Sequence, residues 1–313
     1  MTGPRKASVI IPTYKRPDLL RQLLASLSRQ QTEYDFEVIA VNDDPEDNLS
    51  AMELEFSDMP LRVINLSEDH GRSIARNTGV RASDGDIIIF LDDDMTVVNG
   101  FITAHMDAHT HPKTAVIGNL VSAPEYARDP LARYIERQGA KKRAPGAVLP
   151  PKCFRTGNGS VSRQFFEEVG MFDESFRTYG EDLDIAMRLS YQGARFVFAD
   201  EAISYNYQYP DLEDMMEKLR EWGRYTLPIF KKTHPEFTRD IWVDLGDPVE
   251  IGRESLAVSL KKIALRLVLT RPFYAVAELV YRCKWLGDSL FPVIDFMRLY
   301  NYIGAYRESL KDK

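Results

Sequence analysis

The chain has 313 residues, 44% of them hydrophobic and 28% charged, with a formal net charge of −7. That length suffices for two subdomains or for one large domain plus an extension, and the acidic balance argues against non-specific nucleic-acid binding, which needs a basic surface. No apolar stretch is long enough to span a bilayer, and Met1-Thr2-Gly3-Pro4-Arg5-Lys6 running straight into a strand leads to the expectation of no signal peptide; Cys153 and Cys283 are too far apart in sequence for a metal clip, so reduced thiols in a cytoplasmic protein are expected.

In chain order, residues 8–12 read as a short apolar strand, and 18–30 as a helix with leucines at 19, 20, 23, 24 and 27 on one face. Residues 36–41 and 61–66 are strands, 72–82 is a helix with Gly79 near its end, and 86–91 is a strand of β-branched and aromatic residues. This alternation predicts an α/β fold with a mostly parallel central sheet flanked by helices. Beyond residue 99 the rhythm changes. Residues 101–109 look helical and 115–122 extended, while 137–152, rich in Gly, Pro, Lys and Arg, reads either as a lid over a bound ligand or as a plain connection. Then come 157–162, a helix over 181–192 stopped by Gly193, a strand over 195–199, a helix over 211–232, and a mostly helical C-terminal extension.

Asp92, Asp93 and Asp94 follow directly on the buried strand, at the carboxyl edge where open α/β sheets bind ligands. Carboxylates roughly 4 Å apart repel by about 4 kcal/mol at a surface-like dielectric, so a cation is their natural partner. All-oxygen ligands favour Mg²⁺ or Mn²⁺. Pro12, Thr13, Tyr14 and Arg16 end the first strand and Asp43 the second, so three strand ends converge on one rim where a nucleotide would lie. Asp43 suits an N–H on a base edge or, equally, a turn before Pro45. Arg72 and Arg76, one helical turn apart near a helix N-terminus, could grip a diphosphate or form a solvated basic face. Glu181, Asp182 and Asp184 open the later helix, where acids also stabilise the dipole. A general base must reach a hydroxyl at about 3 Å, and Asp182 is the candidate. Gly157-Asn158-Gly159 lacks the context of a dinucleotide fingerprint.

Val9-Ile10-Ile11-Pro12-Thr13-Tyr14, Asp43, the Arg76-Asn77-Thr78-Gly79 helix with the aspartate triplet, and Gly170-Met171-Phe172-Asp173-Glu174 leading to Glu181-Asp182 occur in this order. Over roughly residues 7–210 the chain resembles the family 2 glycosyltransferases, which have the GT-A fold. The resemblance implies an inverting transfer of a sugar from a UDP-, GDP- or dTDP-linked donor to a hydroxyl of a glycan or lipid-linked acceptor. Asp43 would meet the donor base, Asp92 and Asp94 would form the acid-x-acid metal pair for Mn²⁺ or Mg²⁺, and Asp182 would be the base. Donor contacts are then expected from Pro12, Thr13, Tyr14, Arg16, Asp43, Arg72, Arg76, Asp92 and Asp93, and acceptor contacts from Gly159, Glu181 and Trp222. The segments divide as 1–98, nucleotide-sugar half; 99–210, acceptor and catalytic half; and 211–313, helical extension. Asn42 replaces a common aspartate, and Asn206 stands in the region where many relatives place a histidine, so that Asn206 would offer its oxygen to the metal, as a third ligand, or to the diphosphate.

Tyr205, Tyr207 and Tyr209 alternate as along one strand face, and they, Trp222 and Tyr225 are either acceptor-stacking or core residues. Between Leu256 and Arg307 eight basic residues face three acids, so this tail is +5 and the remainder −12. Leu256, Leu260, Ile263 and Leu267 share a helical face there, which fits a peripheral membrane-surface segment at the inner face of the membrane or a cap or homodimer contact. A sugar-phosphate nucleotidyltransferase would need a glycine-rich loop after the first strand, which Pro12-Thr13-Tyr14-Lys15 replaces. A glycoside hydrolase needs no nucleotide rim; a non-catalytic sugar-nucleotide-binding protein stays open.

Overall fold

The computed structural model describes residues 6–126, 128–137, 143–176, 179–236, 246–249 and 254–311. They fall into two compact units, Met1–Glu125 with Ile135–Gln208, and Tyr126–Tyr134 with Tyr209–Lys313. The first contains the whole sheet.

That sheet is built from β1 (Lys6–Thr13), β2 (Asp35–Asn42), β3 (Leu61–Asn65), β4 (Ile87–Leu91), β5 (Met95–Val97), β6 (Thr114–Ser122), β7 (Asn158–Ser162) and β8 (Arg195–Asn206) in the order β3-β2-β1-β4-β7-β6-β8-β5. β3, β2, β1 and β4 are mutually parallel, so their carboxyl ends share one edge. β7 runs antiparallel to both β4 and β6, which brings its first residues beside the end of β4 through the pair Leu91 and Asn158. Parallel pairing returns between β6 and β8. The two-residue period of a strand divides its side chains between two cores. Val9, Ile11, Ile89 and Leu91 join one core, which helix α1 (Pro17–Leu27) covers with Leu20, Leu23, Leu24 and Leu27. Ile10, Ile88 and Phe90 join the other, covered by Ala75 and Val80 of the helix Arg72–Ala82 and by Ile185 and Leu189 of the helix Glu181–Tyr191. A sheet buried on both faces reads as continuous apolar runs, which is why these strands were legible.

Three differences from the sequence reading have local causes. The helices Ala51–Glu55, Pro130–Arg137 and Arg163–Glu168 are too short for an apolar period to stand out. β8 runs on to Asn206 because a register shift at Gly118/Asn119 of β6 lets pairing resume at Ile203. The helix expected over 211–232 is Leu212–Glu221, a π-turn Trp222–Thr226 and Leu227–Thr233. Pro228 cannot donate a backbone hydrogen bond, and a wider turn just before it absorbs the missing donor. Part of 137–152, the lid expectation, lies outside the described residues.

The second unit is helical. Asn301, buried in the helix Phe291–Ser309, accepts from Arg220 Nη1 at 2.8 Å and donates to the Met297 carbonyl at 2.8 Å and to the Tyr274 hydroxyl at 3.2 Å, so its polar groups are matched.

Candidate active site

β1, β2 and β4 deliver their ends to one rim, and the side chains there are already bonded to one another. Thr13 Oγ1 donates to Asp93 Oδ2 at 2.7 Å. Arg16 follows Lys15, whose φ of 56° turns the chain sharply; its Nη1 lies 3.5 Å from both Asp93 Oδ1 and Asp94 Oδ2. Burial pushes the Asp93 carboxyl up to about 6, against the pull of the Thr13 hydroxyl and Arg16. Asp94 is pushed up to about 7, by burial first and then by the charges of Asp92 and Asp93. Among the described residues Asp94 Oδ1 is buried without a hydrogen-bond partner. A buried oxygen with no donor, beside two further carboxylates that raise its proton affinity, is the environment a hard cation relieves. No group of three or more His, Cys, Asp or Glu that could hold an ion occurs among the described residues. A hard cation can be held by one or two side chains with its other positions left to water and phosphate, as Mg²⁺ commonly is.

Asp43 has both oxygens engaged. Oδ1 accepts from His70 N–H at 2.9 Å and Oδ2 from Gly71 N–H at 2.7 Å. Gly71 holds φ 85°, which favours glycine, and it caps the helix Arg72–Ala82. Burial raises the Asp43 carboxyl above its ordinary value while the two N–H groups oppose it. Its neighbour Asn42 donates Nδ2 to the carbonyls of Asp44 and Asp47 and to Asn65 Oδ1. An aspartate at 42 would face three acceptors, which accounts for the amide.

Arg76 and Arg72 part company. Arg76 is 1% exposed and spans two carboxylates, Asp92 Oδ1 at 2.8 Å and Glu181 Oε1 at 3.0 Å. Burial alone would lower its proton affinity, but Asp92, Glu181 and Asp182 raise it above the ordinary arginine value. A guanidinium enclosed in this way has no free face for a diphosphate. Arg72, half-exposed, lies 3.7 Å from Glu181 and over the Tyr179 ring. Glu181 itself is buried, pushed up by burial and by Asp182 against Arg72 and Arg76; its carboxylate is turned to these arginines.

Asp182, next on the helix, accepts a hydrogen bond from Thr156 Oγ1. Thr156 precedes Gly157, where a Cβ would come within 2.9 Å of Asp92 Oδ2. Residues 156–158 thus touch both acidic clusters, a link absent from the sequence reading because 26 positions separate Thr156 from Asp182. Behind them is a second unforeseen group. His105 Nε2 lies 2.9 Å from Asn158 Oδ1, and its Nδ1 lies 2.9 Å from Ser160 Oγ. Asn158 Nδ2 also donates to the Ala202 carbonyl at 2.9 Å and Ser204 Oγ at 2.8 Å, so its Oδ1 faces the ring and His105 carries its proton on Nε2. Burial pushes His105 down to about 4, so it is a neutral part of the frame.

The other expected positions are placed as follows. Pro12 is paired within β1, and Tyr14 is exposed. Gly159 lies mid-strand between Phe90 and Ile117, and an added Cβ would meet the Arg155 carbonyl at 2.6 Å and the Phe154 ring at 2.9 Å, so it borders backbone and core. Asn206 pairs with Met95, and its Oδ1 accepts from Gln208 N–H at 2.8 Å. Trp222 belongs to the second unit, where its ring packs edge-on to Tyr302 at 5.8 Å.

A parallel half-sheet with acids at its switch point, tied through one buried arginine to a second acidic helix, defines a GT-A type α/β unit. Residues 8–170 match the family described as glycosyl transferase family 2, and the chain belongs to that family. It is 27% identical over 66% of its length to the uncharacterized glycosyltransferase YfnE of Bacillus subtilis strain 168, and 26% identical over 75% of its length to the chondroitin synthase of Pasteurella multocida strain Pm70. The aligned part spans 65% of the first relative and 28% of the second. In three dimensions it is similar to a mannosyltransferase from Pyrobaculum calidifontis in complex with GDP-Man and Mn²⁺, with a TM-score of 0.61 at 18% identity, covering 100% of this chain and 89% of that one.

Proposed function

We propose that this chain is a metal-dependent, inverting glycosyltransferase that moves a sugar from a nucleoside-diphosphate donor to a hydroxyl of a glycan or lipid-linked acceptor. The observation that carries the reading is the Arg76 bridge, which holds Asp92 of the donor rim and Glu181, the neighbour of Asp182, on one guanidinium. Family membership and the fold shared with a mannosyltransferase complexed with GDP-Man and Mn²⁺ support it.

In this mechanism Asp182 removes the proton from the acceptor hydroxyl. The freed oxygen bonds to the anomeric carbon from the face opposite the diphosphate, the bond from that carbon to the diphosphate oxygen breaks, and its electron pair leaves with the nucleoside diphosphate. Thr156 Oγ1 occupies Asp182 Oδ1, which leaves Oδ2 for the acceptor. Asp92 and Asp94 would hold a divalent cation, which would offset the negative charge gathering on the leaving diphosphate. Arg16 and Arg72, both partly exposed, are candidates to meet the donor phosphates. Asp43 keeps a lone pair on each oxygen for a base N–H while fixing the turn at Gly71.

Screening UDP-, GDP-, dTDP- and CMP-sugars with Mn²⁺ by thermal shift identifies the donor, since a ligand that binds only the native state stabilises it. EDTA should then abolish transfer and added Mn²⁺ or Mg²⁺ should restore it; full activity in EDTA would rule out the metal-dependent form of the proposal.

A further inference from the structure

The helices Leu256–Val268 and Arg271–Tyr281 leave large apolar side chains in solvent. Leu256 is 76% exposed, Leu267 68% and Leu279 65%, and Trp285, just beyond, is 83% exposed. The exposure follows a helical period. Tyr274, Ala277 and Tyr281 are buried, whereas Phe273, Val276 and Leu279 on the other face are not. Charge separates the same region from the rest of the chain. From Ser255 to Gly287 there are six basic residues, and Glu278 is the one acid. Lys262 is buried and paired with Glu254; Lys261, Arg266, Arg271, Arg282 and Lys284 are exposed.

We infer that this face docks on the surface of an anionic lipid bilayer. Apolar rows flanked by lysine and arginine, with a tryptophan at the edge, suit the boundary between headgroups and acyl chains. No described helix is long and apolar enough to cross a membrane, so the contact is one of lying on the surface. Charge also discriminates against a second copy, because a two-fold interface would place two basic faces together. This inference goes beyond the transfer reaction and does not depend on it.

The test is flotation of the full chain with vesicles of phosphatidylcholine alone or mixed with phosphatidylglycerol. Wild type should float with the anionic vesicles and remain behind with the neutral ones, and raised salt should weaken binding. The double variant Leu260→Glu/Leu267→Glu should bind at least about tenfold more weakly, and Arg282→Glu about fivefold or more. Leu54→Glu, at an exposed site of the first unit, should bind as wild type does. Unchanged melting temperatures exclude misfolding as the cause of any loss. Failure to float with anionic vesicles, or equal flotation of the double variant and wild type, overturns the inference. So does a concentration-dependent dimer, abolished by the double variant, in a protein that ignores vesicles.

Discussion

The first unit buries most of its large hydrophobic residues against the sheet, while the second turns nine large apolar side chains, from Leu256 to Trp285, to the solvent. In the first unit even an arginine that is 1% exposed has a carboxylate on each side. In the second the buried polar residue Asn301 is satisfied, but the faces of two helices are not covered. Interior order of the first kind serves chemistry, because it fixes charges without solvent. An apolar exterior beside lysine and arginine costs solubility and is useful only against another surface.

Four measurements would break or sharpen that contrast, beginning with the largest effect. Asp182→Asn should lower kcat by about 10²- to 10⁴-fold with donor affinity unchanged by calorimetry; undiminished transfer would remove Asp182 as the base. Arg76→Leu, which strands two buried carboxylates, should cost about 3–5 kcal/mol in urea unfolding, whereas Arg72→Leu should cost no more than about 1 kcal/mol. Equal losses would mean that the bridge is not what holds the two acidic regions.

The third measurement concerns pH. Asp94 is raised to about 7 in the folded chain, so between its unfolded value and 7 the native state binds the extra proton and metal-free stability falls as pH rises. Relative to Asp94→Asn, the wild type should lose about 2 kcal/mol between pH 5 and pH 8, and Mn²⁺ should remove most of the difference. A pH-independent difference would show that the carboxyl titrates normally. Smallest of all, Leu267→Glu should shift unfolding by no more than about 0.5 kcal/mol, against about 2–5 kcal/mol for Leu23→Ala in the core. A large loss at Leu267 would mean that its side chain is covered within the fold.

The parts of the molecule legible in the sequence are those encoded by short periods. β1, β2 and β4 are buried on both faces and read as apolar runs, the helix Arg72–Ala82 has its expected ends, and the aspartate triplet follows a strand end. What distinguishes Arg76 from Arg72 is its burial between Asp92 and a Glu181 that lies 105 residues away, and spacing along one helix could not separate a buried bridge from an exposed cation. Thr156 carried no local signal, since its role depends on where the helix Glu181–Tyr191 begins in space. Gly159 was expected to meet the acceptor, yet its strand lies between β4 and β6 and an added Cβ there would meet Phe154 and the Arg155 carbonyl.

Asn77 has a practical consequence for anyone who would recombine this scaffold. Its amide donates to the Phe172 carbonyl and to Glu174, both at 2.9 Å, and accepts from Phe172 N–H at 3.1 Å, while β4 and β7 pair over five positions. A chimera cut near residue 98, taking its opening strands from one parent and its later strands from another, would have to inherit both edges of this seam from the same parent.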